Sequence, residues 1–297
     1  MTPHMPKHSA GPAASAGVLT RYARAYAQQA GVSEGRVRTW VAYMIMSGVL
    51  ERFATEVDGH RFTVKGGVAL ELRLGDRARA TKDIDLVLHD DHVDMARALE
   101  RALTAESDQG FAFRRKGEPK RLDNGAINLE FGVTYRGGAW TNVVVDVARA
   151  EPGESEVERV PAIPLFDAFG VHGPVDLPCL TLRMHIAQKL HGMTLPPRSG
   201  KRNERFRDLV DLLILEPLVT DYVALLDACT MVFQTRATHP WPPTLVAPVH
   251  WVEPFTRLAK ELALPIQDAP MAIEHIREFI DRIVASAVPP SAPIDKA

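Results

Sequence analysis

The chain has 297 residues, 46% of them hydrophobic and 24% charged, which suits a globular protein of one large domain or two of about 150 residues each. A formal net charge of -2 excludes a wholly basic nucleic-acid coat, although a local basic face would suffice for phosphate contact. No apolar run approaches the roughly 18 residues that a membrane helix needs, and the cysteines Cys179 and Cys229 lie in no metal or CxxC spacing, so a cytoplasmic protein with buried thiols is expected.

Residues 1–18 are rich in Pro, Ala, Ser and His and lack the charged-then-apolar order of a signal peptide, so they read as a flexible tail. From about Ala16 to Asp58 apolar residues recur at helical spacing, with Trp40, Val41, Met44, Ile45, Val49 and Phe53 in one stripe after the cap Ser33. Two helices are predicted there. Phe62 to Val64 reads as a short strand that ends at Lys65-Gly66-Gly67, and a helical pattern resumes from Val68 to Leu74. Thr81 to Leu88 is a second strand, in which Ile84, Leu86 and Leu88 alternate with Asp83, Asp85 and Val87. Asp90 and Asp91 are placed to cap the next helix, which runs on through Met95, Leu99 and Leu103.

A basic loop follows with Arg114, Arg115, Lys116, Lys120 and Arg121, and then the runs INLEFGVTY and AWTNVVVDVA, joined by RGG, take the form of a β-hairpin. Asp146 lies in the second strand on the same pleat face as Asn142 and Val144. The proline-containing stretch from Glu151 to Pro178 reads as a crossover between two lobes. Beyond it the chain is mostly helical, through LTLRMHIAQKLHGM and RFRDLVDLLIL, with a last helix from about Met271 to Ala287. The five prolines in HPWPPTLVAPVHWVEP rule out a regular helix there.

Residues two apart in a strand point to the same side, so Asp83 and Asp85 project together, and carboxylates held that close are costly without a cation between them. Hard oxygen ligands suit Mg²⁺ completed by substrate phosphates, with Asp146 from a neighbouring strand as the third carboxylate. Gly66 and Gly67, without Cβ atoms, let a ligand approach the backbone and the free N–H groups of the following helix, where a triphosphate fits. Arg73, Arg77 and Arg79 lie between the glycines and the aspartates and can add anion contacts. Arg198, Lys201, Arg202, Arg205 and Arg207 place five cations within ten residues, a footing for an RNA backbone or a solvated charged run. Trp241 and Trp251 can stack a base or plug an interface. His185 and His191 match no zinc spacing.

The order KGG, then Asp-Ile-Asp on the next strand, then a later single carboxylate is similar to the signature of the DNA polymerase β-type nucleotidyltransferases. With AQKLHG and RDLVDL added, the chain resembles the AbiEii/MenT family of toxins from bacterial toxin–antitoxin systems, from about Phe62 to the last helix. The resemblance implies an α/β (α+β) bilobed fold: a nucleotidyltransferase lobe on a small mixed sheet at 19–172, a helical lobe at 173–288 and a tail at 289–297. It implies that Asp83 and Asp85 hold Mg²⁺, with Mn²⁺ as its substitute. It further implies that Lys65, Gly66, Gly67 and Lys189 contact a nucleoside triphosphate, CTP or UTP favoured, and that Asp211 with Asp208 completes the site. The acceptor would be the 3′ end of tRNA, and a cognate antitoxin the protein partner. Many relatives place Ser or Thr after the glycines, whereas Val68 here lacks both a hydroxyl for phosphate and an acceptor for antitoxin-driven phosphorylation. The other readings are transfer to a protein or small-molecule hydroxyl, and a nucleotide-binding interaction protein without transfer.

Overall fold

The computed structural model describes residues 11–56, 61–104, 109–197 and 202–287. Most of the expected terminal tails, and Arg198 and Lys201 of the second basic loop, lie outside the described residues. The chain divides into two compact units, Met1–Ala150 with Ser155–Leu180, and Glu151–Glu154 with Thr181–Ala297.

The first unit opens with two helices, as the apolar spacing predicts: α1 (Ala16–Ala30) and α2 (Glu34–Glu56). Ser15 and Ser33 cap them by accepting from the backbone N–H of Val18 and Arg36, and Gly31 ends α1 in the left-handed region at φ 67°. On α2 every residue from Val41 to Met46 is fully buried, so the stripe read from the sequence is one side of a helix enclosed on all sides. Next come β1 (Phe62–Lys65), α3 (Gly66–Leu74), β2 (Asp83–Leu88) and α4 (Met95–Thr104). The α4 cap is Asp94, which accepts from Arg97 N at 2.9 Å, while Asp90 closes a turn with His92 N instead.

The remaining strands are β3 (Phe111–Arg121), β4 (Ile127–Tyr135), β5 (Gly138–Arg149), β6 (Val157–Pro161) and β7 (Asp176–Leu180). Among the described residues they complete the mixed sheet at seven strands in the order β3-β4-β5-β2-β1-β7-β6. The β2–β5 and β1–β7 pairs are parallel and the rest antiparallel. The β4–β5 hairpin turns on Arg136 and Gly137, both at positive φ, the conformation that matches strand twist. Two expectations change here. The first basic loop is the edge strand β3, and the supposed crossover supplies β6 and part of β7 to the first unit's own sheet.

One buried ion pair fixes the approach to β2. Glu71 on α3 is fully buried, and Arg36 on α2 reaches it at 2.8 Å while donating to the Ala78 carbonyl at 2.6 Å. Burial raises the Glu71 pKa and the Arg36 guanidinium opposes that rise. Arg36→Ala leaves a buried carboxyl without its cation and is expected to cost about 3–5 kcal/mol. Chemical denaturation measures it, and a cost below about 1 kcal/mol would show that the pair does not hold this junction.

The second unit is helical: α5 (Leu182–Met193), α6 (Phe206–Leu215), α7 (Tyr222–Arg236), α8 (Val252–Glu261) and α9 (Ala269–Ala285). The proline-rich stretch is irregular up to Pro248, and α8 then tolerates Pro254 because it falls in the first turn. Trp251 is fully buried and donates its indole N–H to the Asn203 carbonyl at 2.6 Å.

Candidate active site

The parallel register of β2 and β5 sets Asp85 directly beside Asp146 and Asp83 beside Val144. Side chains on directly paired positions share a face, so Asp83, Asp85 and Asp146 rise from one side of the sheet. All three are half-buried. The opposite face, through Ile84, Leu86, Val145 and Val147, belongs to the core. Asn128 on β4 pairs with Asp146 in the antiparallel register and donates to its Oδ1 at 2.6 Å.

Asp146 records first the cost of burial and only then that of a neighbouring charge. Desolvation raises its pKa, Asn128 lowers it, and the Asp83 charge raises it again, with a net upward shift. The sign follows: ionising this carboxyl works against the fold, and the penalty is absent below the ordinary carboxylate range and complete above the raised pKa. Asp146→Asn is therefore expected to melt higher than the parent at pH 7 without divalent cation. Below about pH 4 the difference should vanish; a variant that melts lower at pH 7 would contradict the electrostatic account.

The glycines have a second duty that spacing does not reveal. Gly66 has φ 61°, and a Cβ on it would lie 1.9 Å from Oδ2 of Asp85. A Cβ on Gly67 would lie 2.4 Å from the Thr81 hydroxyl, which donates to the Asp83 carbonyl at 3.1 Å. The pair thus clears space for one carboxylate and for the support of another. Thr81 was not singled out by sequence reasoning; its only signal is a position two residues before Asp83. α3 begins at Gly66 itself, and its N-cap Lys65, opposite Asp85 in the β1–β2 register, makes no side-chain cap bond. Val68 is fully buried, so the position that lacks a hydroxyl is occupied by core packing.

The cations divide. Arg73 donates to the Leu180 carbonyl at 2.6 Å and pairs with Glu158 at 3.0 Å, which commits it to β6 and β7 of the sheet. Arg77 is exposed, and no ion pair holds it among the described residues.

In the second unit Lys189, Asp208 and Asp211 come together. The Lys189 ammonium donates to Asp208 at 3.0 Å and to Asp211 at 2.6 Å, and Arg205 reaches Asp208 at 3.1 Å. Asp211 is fully buried and the other two nearly so. Burial pushes the Asp208 pKa up, but Lys189 and Arg205 outweigh it and hold the carboxyl below its ordinary value. Trp241 stays partly exposed with its ring 5.2 Å from Phe233, whereas buried Trp251 has no free face for a base.

Among the described residues no three His, Cys, Asp or Glu side chains converge tightly enough to cage a metal ion by themselves. The arrangement on β2 and β5 fits a different holder. Two or three half-buried carboxylates on one face suit an ion that takes its remaining ligands from phosphate and water.

Residues 48–292 match the family described as "Nucleotidyl transferase AbiEii toxin, Type IV TA system". Among solved structures, the chain is similar to MenT4, a nucleotidyltransferase toxin from Mycobacterium tuberculosis H37Rv, at 18% identity and TM-score 0.55 over 92% of this chain and 98% of that one. It also matches an antigenic nucleotidyltransferase-like protein from Paracoccidioides brasiliensis, at 19% identity and TM-score 0.39 over 65% of this chain and 89% of the other. The antibiotic-resistance factor ANT(2″)-Ia follows at 16% identity and TM-score 0.34, over 66% and 94%. No curated protein matches the sequence. No helix among the described residues is long and apolar enough to cross a membrane. With the family match spanning most of the chain and the carboxylates aligned across β2 and β5, the chain belongs to the AbiEii nucleotidyltransferase toxins of type IV toxin–antitoxin systems.

Proposed function

We propose that the protein transfers a nucleoside monophosphate from a triphosphate, CTP or UTP favoured, to the 3′ hydroxyl of tRNA, and so blocks translation in the cytoplasm until a cognate antitoxin intervenes. The single observation that carries the reading is the direct pairing of Asp85 with Asp146, two residues along the same face from Asp83. Three carboxylates on one face of the central strands β2 and β5 gain from a divalent cation, and the adjacent start of α3, where Lys65 makes no side-chain cap bond, suits phosphate.

In this reading Asp83, Asp85 and Asp146 would hold Mg²⁺, or Mn²⁺ in its place, which supplies neutralisation at the phosphates and a more acidic hydroxyl. Gly66, Gly67 and Lys65 would receive the triphosphate, with Arg77 as a further anion contact. Lys189, with Asp208 and Asp211 around it in the second unit, would be a further phosphate contact, exchanging a carboxylate partner for a phosphate oxygen. The 3′ oxygen forms a bond to the α-phosphorus, the α–β phosphoanhydride breaks, the hydroxyl proton passes to the carboxylate cluster, and pyrophosphate leaves.

The test is to incubate the protein with each α-labelled triphosphate, Mg²⁺ and total tRNA. Label on RNA is the expected result. Label on protein or on a small alcohol would transfer the site to the other enzymatic reading, and no label under any condition would leave a nucleotide-binding interaction protein.

A further inference from the structure

The edge strand β3 carries cations on the same face as the carboxylates, and the register links them in rows. One row runs Lys120, Asn128, Asp146, Asp85 and Lys65 across five consecutive strands. The next runs Lys116, Glu130, Val144 and Asp83, and Arg114 faces Gly132 and Asn142 beyond it. At about 4.8 Å per strand, the cationic edge stands about 14 Å from Asp85. Arg114, Lys116 and Lys120 are exposed, as are Glu130 and Asn142 between them and the carboxylates.

Three features make this more than a charged edge. Among the described residues Arg114 and Lys120 have no ion pair, whereas Arg115, on the other face, is taken by Glu100 at 3.1 Å. Among the described residues the register pairs one carboxylate with these three cations, Glu130 opposite Lys116, while Arg114 meets Gly132 and Lys120 meets Asn128. The third is Gly132 in mid-strand: a Cβ there would lie 2.9 Å from Cε of Lys116. A glycine weakens a strand, and here it lets the Lys116 stem lie across β4 so that its ammonium reaches Asn142 on β5 at 2.7 Å. Lysines on an edge can serve only to deter strand pairing. That role asks for outward charge and gives no reason for a lysine laid inward over a glycine.

We propose that the exposed face of β3, β4 and β5 is the seat of the RNA acceptor, its phosphates held by Arg114, Lys116 and Lys120 while its 3′ end reaches Asp83 and Asp85. The inference rests on the transfer reading above and adds where the acceptor lies. Phosphate contacts of this kind position a strand without reading its sequence, so many RNAs bind and selection among them comes from elsewhere.

The experiment uses the full chain with Asp83→Ala to block turnover, with and without R114Q/K116Q/K120Q, and follows total tRNA by fluorescence anisotropy from 50 to 300 mM salt. The triple variant is expected to lose at least about tenfold in affinity near 150 mM salt and about two to three units of salt slope. Its melting temperature and its binding of triphosphate should stay as in the Asp83→Ala parent. Equal tRNA affinity in the two proteins overturns the inference. So does a triple variant that keeps tRNA but no longer binds the cognate antitoxin, which would make this face a protein interface. Wild-type protein that labels no RNA would remove the transfer reading itself; wild type and triple variant labelling RNA equally would remove only the proposed seat.

Discussion

Asp85→Asn is expected to lower nucleotidyl transfer by at least about a thousandfold, or about 4 kcal/mol of transition-state stabilisation, with little change in melting temperature. The amide keeps the shape that fits against Gly66 and keeps the β2–β5 register, so packing is preserved. What disappears is one of the charges that a cation needs. Asp83→Asn should behave alike, whereas Thr81→Val, which removes a hydroxyl from the support of Asp83, should cost far less. The measurement is kcat/KM with labelled triphosphate beside a melt of each variant. An Asp85→Asn protein that retains a tenth of the wild-type rate would move the chemistry away from this strand.

Lys189→Ala should act on stability first. Its ammonium is the common partner of Asp208 and Asp211, and alanine leaves two carboxylates buried with Arg205 as the remaining cation at Asp208. A cost of about 3–5 kcal/mol is expected. For a unit of this size that is a fall of about 10 °C or more in melting temperature. The pH profile gives a second readout. Asp208 is held below its ordinary value, so its contribution is complete above the usual carboxylate range and is lost as pH falls through the lowered pKa. Wild-type protein should therefore keep this cluster to lower pH than an unpaired carboxylate would allow, and Asp208→Asn should flatten that part of the curve. A Lys189→Ala protein that melts as wild type does, yet loses transfer, would give Lys189 a role in transfer and none in stability.

Much of the helical pattern was legible because apolar spacing and serine caps are local, as Ser33 and the α2 stripe show. The β4–β5 hairpin was legible for the same reason, with Gly137 at its turn. Edge strand β3 was hidden by its own chemistry. An edge faces solvent and carries charge, and its bulge near Gly117 breaks the alternation that marks a strand. The cap at α4 was misplaced by three or four residues because three nearby aspartates offer the same group and only the backbone chooses among them. At the candidate site, Asp83, Asp85 and the glycines could be named from order alone. Their mutual fit could not, because the closeness of Gly66 to Asp85 and of Asp146 to Asp85 depends on strand register between segments far apart in sequence. The Lys189 cage was half visible: the i, i+3 spacing put Asp208 and Asp211 on one helix face, but nothing local showed that Lys189 would meet them.

The row that links Lys65 to Lys120 also sets how the gene can change length. In a strand, one inserted or deleted residue turns every later side chain to the opposite face. A single-residue indel within β5 before Asp146 would bring Val145 or Val147 to its place beside Asp85 and send the carboxylate into the core. The same event in the Gly117–Pro119 bulge of β3 falls where the ladder is already interrupted and leaves β2 and β5 untouched. A library of one-codon insertions and deletions should therefore be silent for growth arrest across β2 and β5, while toxicity survives at that bulge.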